Sequence, residues 1–206
     1  MKKTVSFFGL LLFFFIKMNA QQRIVAECTI NYARIADDST TQKQAAASSK
    51  IVYIKGNDSR IDIISPSFSQ TIFYDKNSGN AVVLREFGAN KVMTKLSKTQ
   101  WIEKNKKFEG AVVNLLSDTK NILGYECKKA TIQAADGNLI TVFYATAIVT
   151  SVREFEYQFK DVPGLVLEYE TEEAGKKIKY SASKINLSPV QTAKFDVPTN
   201  GYRILN

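Results

Sequence analysis

Apolar and polar residues alternate along most of the chain. From residue 23 to 187, short segments rich in Ile, Val, Tyr, Phe and Thr recur between clusters of Gly, Asn, Asp and Ser, the pattern of half-buried strands joined by turns. It predicts antiparallel strands over 23–35, 50–56, 59–65, 70–75, 80–87, 90–96, 110–116, 124–135, 138–146, 153–159, 165–173 and 176–186. Helix is scarce. The better candidate is 97–108, where Ser97 caps a helix whose Trp101, Ile102 and Asn105 share one narrow face. The polar, Ala-rich stretch 37–49 reads as a loop or a short exposed helix.

Two hairpins are specified down to their registers. Around Ala174-Gly175, setting Glu173 opposite Lys176 places Thr171 opposite Ile178, Tyr169 opposite Tyr180 and Leu167 opposite Ala182 on one face. The other face then matches Glu172 with Lys177 and Glu170 with Lys179. One register thus yields an apolar face and a charge-complementary face. Asp136-Gly137 is the second signal, since a type I′ turn needs positive φ at both central residues. It predicts Ala134 opposite Leu139, Ile132 opposite Thr141 and Ala130 opposite Phe143.

The first residues break this pattern. Lys2 and Lys3 precede an almost wholly apolar run from Val5 to Ile16, and Met18-Asn19-Ala20 closes it, which is the layout of an export signal cleaved after residue 20. The run is shorter than the ~20 residues needed to cross a bilayer. The division expected is a signal over 1–20 and one antiparallel β domain over 21–206. Losing Lys2, Lys3 and Lys17 from 28 basic residues against 20 acidic ones leaves a mature charge of +5. These charges are scattered, which reads as a solvated surface and not as a nucleic-acid footprint.

Composition then narrows the chemistry. The chain has no histidine, which removes Ser-His-Asp and Cys-His activation and the HExxH zinc site. Carboxylates are the remaining catalytic option. Glu154 with Glu156, and Glu168 with Glu170 and Glu172, are the nearest clusters, and both read as solvated strand faces. Cys28 and Cys127 are the candidate disulfide pair of an exported chain, with two separate core thiols as the alternative. No metal site and no cofactor loop is expected. Aromatics are abundant, with 13 Phe, 9 Tyr and 1 Trp; they fill a core or line an apolar pocket.

Four segments carry a family resemblance: Gly124-Tyr125-Glu126-Cys127-Lys128-Lys129-Ala130, the pair Phe143-Tyr144, Asp161-Val162-Pro163-Gly164-Leu165-Val166-Leu167-Glu168, and Phe195-Asp196-Val197-Pro198 followed by Tyr202. In this order they resemble a family of bacterial exported proteins of unknown function named for the motif Gly-Leu-Pro-Gly-Leu-Ile (GLPGLI). The chain is also similar to lipoprotein-carrier (LolA-like) folds. The resemblance implies a strongly curved antiparallel sheet, a half-barrel with one or two short helices, that cradles an apolar ligand or a lipidated protein. It supplies no catalytic residue. Trp101, Tyr125 and Phe143, in or beside these segments, are the candidate ligand-binding residues. Pro163 and Gly164 are read as a turn, with Gly164 free to take positive φ.

The function expected is that of a non-enzymatic exported cell-envelope protein, periplasmic, outer-membrane-associated or secreted, which binds or carries a lipid, lipidated protein or peptide. Peripheral membrane contact fits this role. The alternative is an envelope protein-protein interaction module using sheet edges or residues 97–108, with a histidine-free hydrolase third.

Overall fold

The computed structural model describes residues 21–36, 43, 46–173 and 175–205; the leader expected over 1–20 lies outside them, as does most of 37–49. The strands among the described residues are β1 (Arg23–Val25), β2 (Glu27–Ala36), β3 (Ser49–Lys55), β4 (Asp58–Ser65), β5 (Phe68–Asp75), β6 (Ala81–Phe87), β7 (Asn90–Leu96), β8 (Val112–Ile122), β9 (Tyr125–Gln133), β10 (Leu139–Ala145), β11 (Ile148–Thr150), β12 (Leu165–Glu173), β13 (Lys176–Asn186) and β14 (Arg203–Leu205). One α-helix, α1 (Lys98–Lys104), lies between β7 and β8. Twelve strands form one sheet in the order β14-β7-β6-β5-β4-β3-β2-β13-β12-β10-β9-β8. Every neighbouring pair is antiparallel except β14 with β7. β1 and β11 make a separate parallel pair. No pairing among the described residues joins the edges β14 and β8.

Period-two alternation decides which side chains meet. Val52 of β3 lies opposite Ile61 of β4, Ile61 opposite Ile72 of β5, and Ile72 opposite Val83 of β6, an apolar row across four strands on the inner face. Two residues along, the same face carries the row Lys50, Ile63, Gln70 and Arg85. The core continues through Leu167, Tyr169, Ile178 and Tyr180, all buried. Each fully buried aliphatic of this kind contributes ~1.5–3 kcal/mol. The outer face has a small cluster of its own, Phe73, Leu84 and Met93, against which Val82, Val197 and Tyr202 pack.

The 165–186 hairpin adopts the expected register from Glu173–Lys176 through Thr171–Ile178 and Tyr169–Tyr180. Glu170, Glu172 and Lys177 are exposed. The Asp136-Gly137 hairpin differs by one residue. Ile140 pairs with Ile132 and Leu139 with Gln133, because the turn has three residues and not two: Ala134 N–H donates to Asn138 O at 2.9 Å, and Gly137 takes the positive φ of 85°. The helix starts as expected. Ser97 Oγ accepts from Gln100 N–H, and Gln100 Oε1 accepts from Ser97 N–H. A 3-10 turn over Lys106–Phe108 completes the helical region.

The expected strand 153–159 is not a strand. Glu154–Phe159 forms two 3-10 turns broken at Glu156 (φ −110°, ψ 77°). Phe155, Tyr157 and Phe159 alternate as strand residues do, yet they are buried against the sheet and pair with no ladder. Gly164 does not take positive φ. A Cβ there would lie 2.2 Å from Ala145 O and 2.7 Å from Tyr144 Cδ2, so glycine is required by close approach to β10.

Candidate functional site

Residues 151–164 lie over the inner face as a plug. Their sequence explains this: Val152, Phe155, Tyr157, Phe159 and Val162 are apolar and buried, so the segment gains more by covering the core than by extending into water. Both ends are tied. Gln22 Nε2 donates to Thr146 O (3.1 Å) and to Pro163 O (3.0 Å), while Ser151 O accepts from Lys76 Nζ at 2.6 Å. The Arg153 guanidinium donates to Val162 O and closes the loop on itself. Trp101 Nε1–H donates to Glu154 O at 3.1 Å, and Tyr157 O–H donates to Glu109 Oε1, fixing the plug to the helical region.

At the centre of the plug Glu156 meets Lys50 of β3. Both are buried, with 8% and 2% of their side chains exposed, and Lys50 Nζ donates to Glu156 Oε1. It also donates to Tyr169 O–H at 3.0 Å. The ammonium lies 4.8 Å from the Tyr32 ring centroid, 4.7 Å from that of Tyr169 and 5.7 Å from that of Tyr180, so aromatic faces supply the remaining stabilisation. Burial, followed by the Glu156 charge, pushes the Tyr32 phenol far up. It stays a donor, to Val166 O at 2.8 Å.

Beside this pair the plug, α1 and the sheet border a partly open cavity of about 260 Å³. Its floor is Ile61, Ile63, Ile72 and Val83, with Trp101 and Phe155 contributed by the covering segments. Its polar groups are Lys50, Gln70, Arg85, Lys104, Asn105, Glu156 and Gln158. Arg85 Nε–H donates to Gln70 Oε1 at 3.0 Å. A wider recess of about 500 Å³ shares Ile63 but has Ser48, Ser49, Ser65 and Ser67 in its wall. The smaller cavity sets the buried Lys50–Glu156 pair and Arg85 around an apolar floor, the arrangement of a candidate ligand site.

The three ligand-binding candidates are not brought together. Trp101 is buried and in the cavity wall, its ring 5.8 Å from that of Tyr74. Phe143 lies on the other face of its strand from the buried Val142 and Tyr144, beneath Lys120 at 5.4 Å. Tyr125, half-buried, starts β9. Neither lines the cavity. Cys28 and Cys127 are free and buried; they sit on β2 and β9 with three strands between, and burial pushes their thiols up to about 12 and about 11.

Two of the clustered carboxylates, Glu156 and Glu168, differ from the expected solvated faces, whereas Glu170 and Glu172 are exposed as expected. Glu156 is buried in the pair with Lys50, and Glu168, 8% exposed, is held by Lys120 Nζ at 2.8 Å and Ser181 Oγ at 3.0 Å. Lys50, Gln70 and Arg85 are cavity residues that no motif in the sequence marks. Their signal is periodic instead: each ends an alternate-residue apolar set, Lys50-Val52-Ile54, Gln70-Ile72-Tyr74 and Ala81-Val83-Arg85.

The family model for the N-glycanase peptide, N-terminal domain, matches residues 30–200. No curated protein matches the sequence. Among solved structures, PNGF-II in a C2 crystal form is similar over 86% of this chain with 14% identity and a TM-score of 0.52. The P21 form gives 87%, 14% and 0.51. The chain spans 30% and 31% of the length of those two chains. MucB is similar over 87% of this chain and 60% of its own, at 7% identity and a TM-score of 0.44. Among the described residues no helix is long and apolar enough to cross a membrane.

Proposed function

We propose, for a chain that belongs to the N-glycanase peptide N-terminal domain family, that it is a non-enzymatic, exported binding module holding an apolar ligand between the sheet and its plug. The observation that supports this is the 260 Å³ cavity with an isoleucine and valine floor under Trp101 and Phe155. In this reading the sheet curves as a half-barrel around the plug, the ligand replaces part of what the plug covers, and a lipid or lipidated chain end is the cargo. The missing histidine and the engagement of Glu156 and Glu168 by lysines favour binding over hydrolysis. No catalytic residue is carried over from PNGF-II.

Straight-chain alcohols test the cavity directly. Hexanol, octanol and decanol should raise the melting temperature, since a ligand of the folded state stabilises it by mass action. They should also change Trp101 emission, the chain having 1 Trp. Affinity should rise about fourfold per methylene, the equivalent of ~0.8 kcal/mol, until the cavity is full. Maltose and AMP should do neither. An absence of response to every alcohol by both readouts overturns the proposal.

A second reading is favoured by the edge strand β8, where Val112 and Leu115 are 54% and 59% exposed. Such an edge invites strand addition by a protein partner.

A further inference from the structure

We infer that the ligand of the cavity carries one negative charge at its polar end: a medium-chain carboxylate, held by Arg85 and Lys104. This rests on the reading of the cavity as an apolar-ligand site and specifies its chemistry. Three cations and one carboxylate line the cavity among the described residues, namely Lys50, Arg85, Lys104 and Glu156. Glu156 is already engaged by Lys50. Neither Arg85 nor Lys104 makes an ion pair among the described residues.

Arg85 is the more telling of the two. It is half-buried on the inner face of β6, at the end of the row Lys50-Ile63-Gln70-Arg85, and its recorded partner is the neutral amide of Gln70 through Nε. A guanidinium has five donors, and the Nε–H contact to Gln70 leaves the terminal NH2 groups of Arg85 to face the cavity. Its planar fork suits a carboxylate. Gln70 uses its carbonyl on Arg85, which leaves its NH2 as another donor for the same anion. Lys104, exposed in the last turn of α1, adds positive charge at the mouth.

The apolar floor runs away from this end, because Ile72 and Val83 form the next inner row after Gln70 and Arg85. The length of chain it takes follows from volume. A cavity of ~150 Å³ holds the six carbons of benzene, so 260 Å³ accommodates about ten carbons in proportion.

The test uses the protein with decanoate, decanol and decyltrimethylammonium, each below its aggregation concentration, at neutral pH by calorimetry. Decanoate should bind about tenfold or more tightly than decanol, the scale of a charge-assisted hydrogen bond, and the cation should bind weakest. Arg85→Gln and Lys104→Gln should each bring decanoate to within about threefold of decanol measured on the same variant. Raising the salt should shrink the decanoate advantage, a readout that needs no variant should Arg85→Gln fail to fold. Equal binding of decanoate and decanol by the unmodified protein overturns the head-group assignment while the apolar site stands. Binding of none of the three overturns both.

Discussion

Two segments without regular strand cross the sheet, one on each face, and they are held by different physics. The plug, residues 151–164, buries Val152, Phe155, Tyr157, Phe159 and Val162, covers a buried ion pair and borders a cavity. The C-terminal strap, residues 187–202, runs over the outer face from β2 to β7 and stays largely exposed. Beside the packing of Val197 and Tyr202 on Phe73, Leu84 and Met93, its fastenings are polar: Val190 N–H donates to Glu27 at 2.8 Å, Lys55 Nζ to Val190 O at 2.9 Å, Arg60 to Lys194 O at 2.9 Å, and Tyr202 O–H to Glu86. The difference teaches which face stores binding capacity. The inner side holds a partly open cavity lined by both apolar and charged groups, whereas the outer strap covers only the small Phe73, Leu84 and Met93 cluster.

The sharpest way to break this comparison is at the ion pair. Replacing Glu156 by Ala leaves the Lys50 ammonium buried without its anion, which should cost about 3–5 kcal/mol in denaturant unfolding. Converting both Lys50 and Glu156 to apolar residues of similar volume should recover most of that loss. A single-variant cost below about 1 kcal/mol, typical of exposed pairs, would mean that the plug stands open to water and that the two faces are alike.

A smaller effect is expected where the plug joins β12. At Gly164 the backbone passes so close to Ala145 that an added methyl has no room. Gly164→Ala should therefore cost about 1–3 kcal/mol by overpacking and weaken alcohol binding as the plug is displaced. Unchanged stability would show that this end of the plug yields freely.

How much of this was legible in the sequence varied with how many constraints a segment carries. The 165–186 hairpin was readable because its two faces each demand the same register: Tyr169–Tyr180 and Thr171–Ile178 on one, Glu170–Lys179 and Glu172–Lys177 on the other. The Asp136-Gly137 hairpin offered a turn signal without a charge pattern, and a three-residue turn moved it by one place. Strands β11 and β14 are three residues each and pair in parallel, too short for a period to show. β8 runs on through the polar residues Ser117 to Asn121 past a register shift between Leu115 and Thr119, which hides it from an alternation test. The plug has the sequence pattern of a strand because Phe155, Tyr157 and Phe159 alternate for a core below them instead of for a ladder beside them. Of the residues around the cavity, Trp101 falls within the helix expected over 97–108, as it does in the structure. Lys50 and Arg85 were readable as charged ends of apolar faces, but the meeting of Glu156 with Lys50, 106 residues apart, depends on the folding of the plug and leaves no local pattern.

The smallest expected effect concerns the strap and its acid sensitivity. The Glu27 carboxyl is held below its ordinary value of 4.5, first by the Val190 N–H and then by Lys55, and Glu86 is lowered first by the Tyr202 hydroxyl and then by Lys91. Carboxyls with lowered folded values contribute stability above the unfolded value, and that contribution is lost as pH falls through the folded one. The strap should thus be fully fastened at neutral pH and loosen progressively below about pH 4.5, the value both groups share when unperturbed. Tyr202→Phe should remove part of this response at a cost of about 1 kcal/mol or less, because Glu86 is 31% exposed and water screens the contact. Amide hydrogen exchange localises the outcome. As the pH falls below 4.5, residues 187–202 should lose protection before 155–162 do, because Phe155, Tyr157 and Phe159 add apolar burial to the ion pair that holds the plug. Simultaneous loss of protection in both segments would mean that strap and plug open as one unit and that the contrast between the two faces is not a contrast in how they are held.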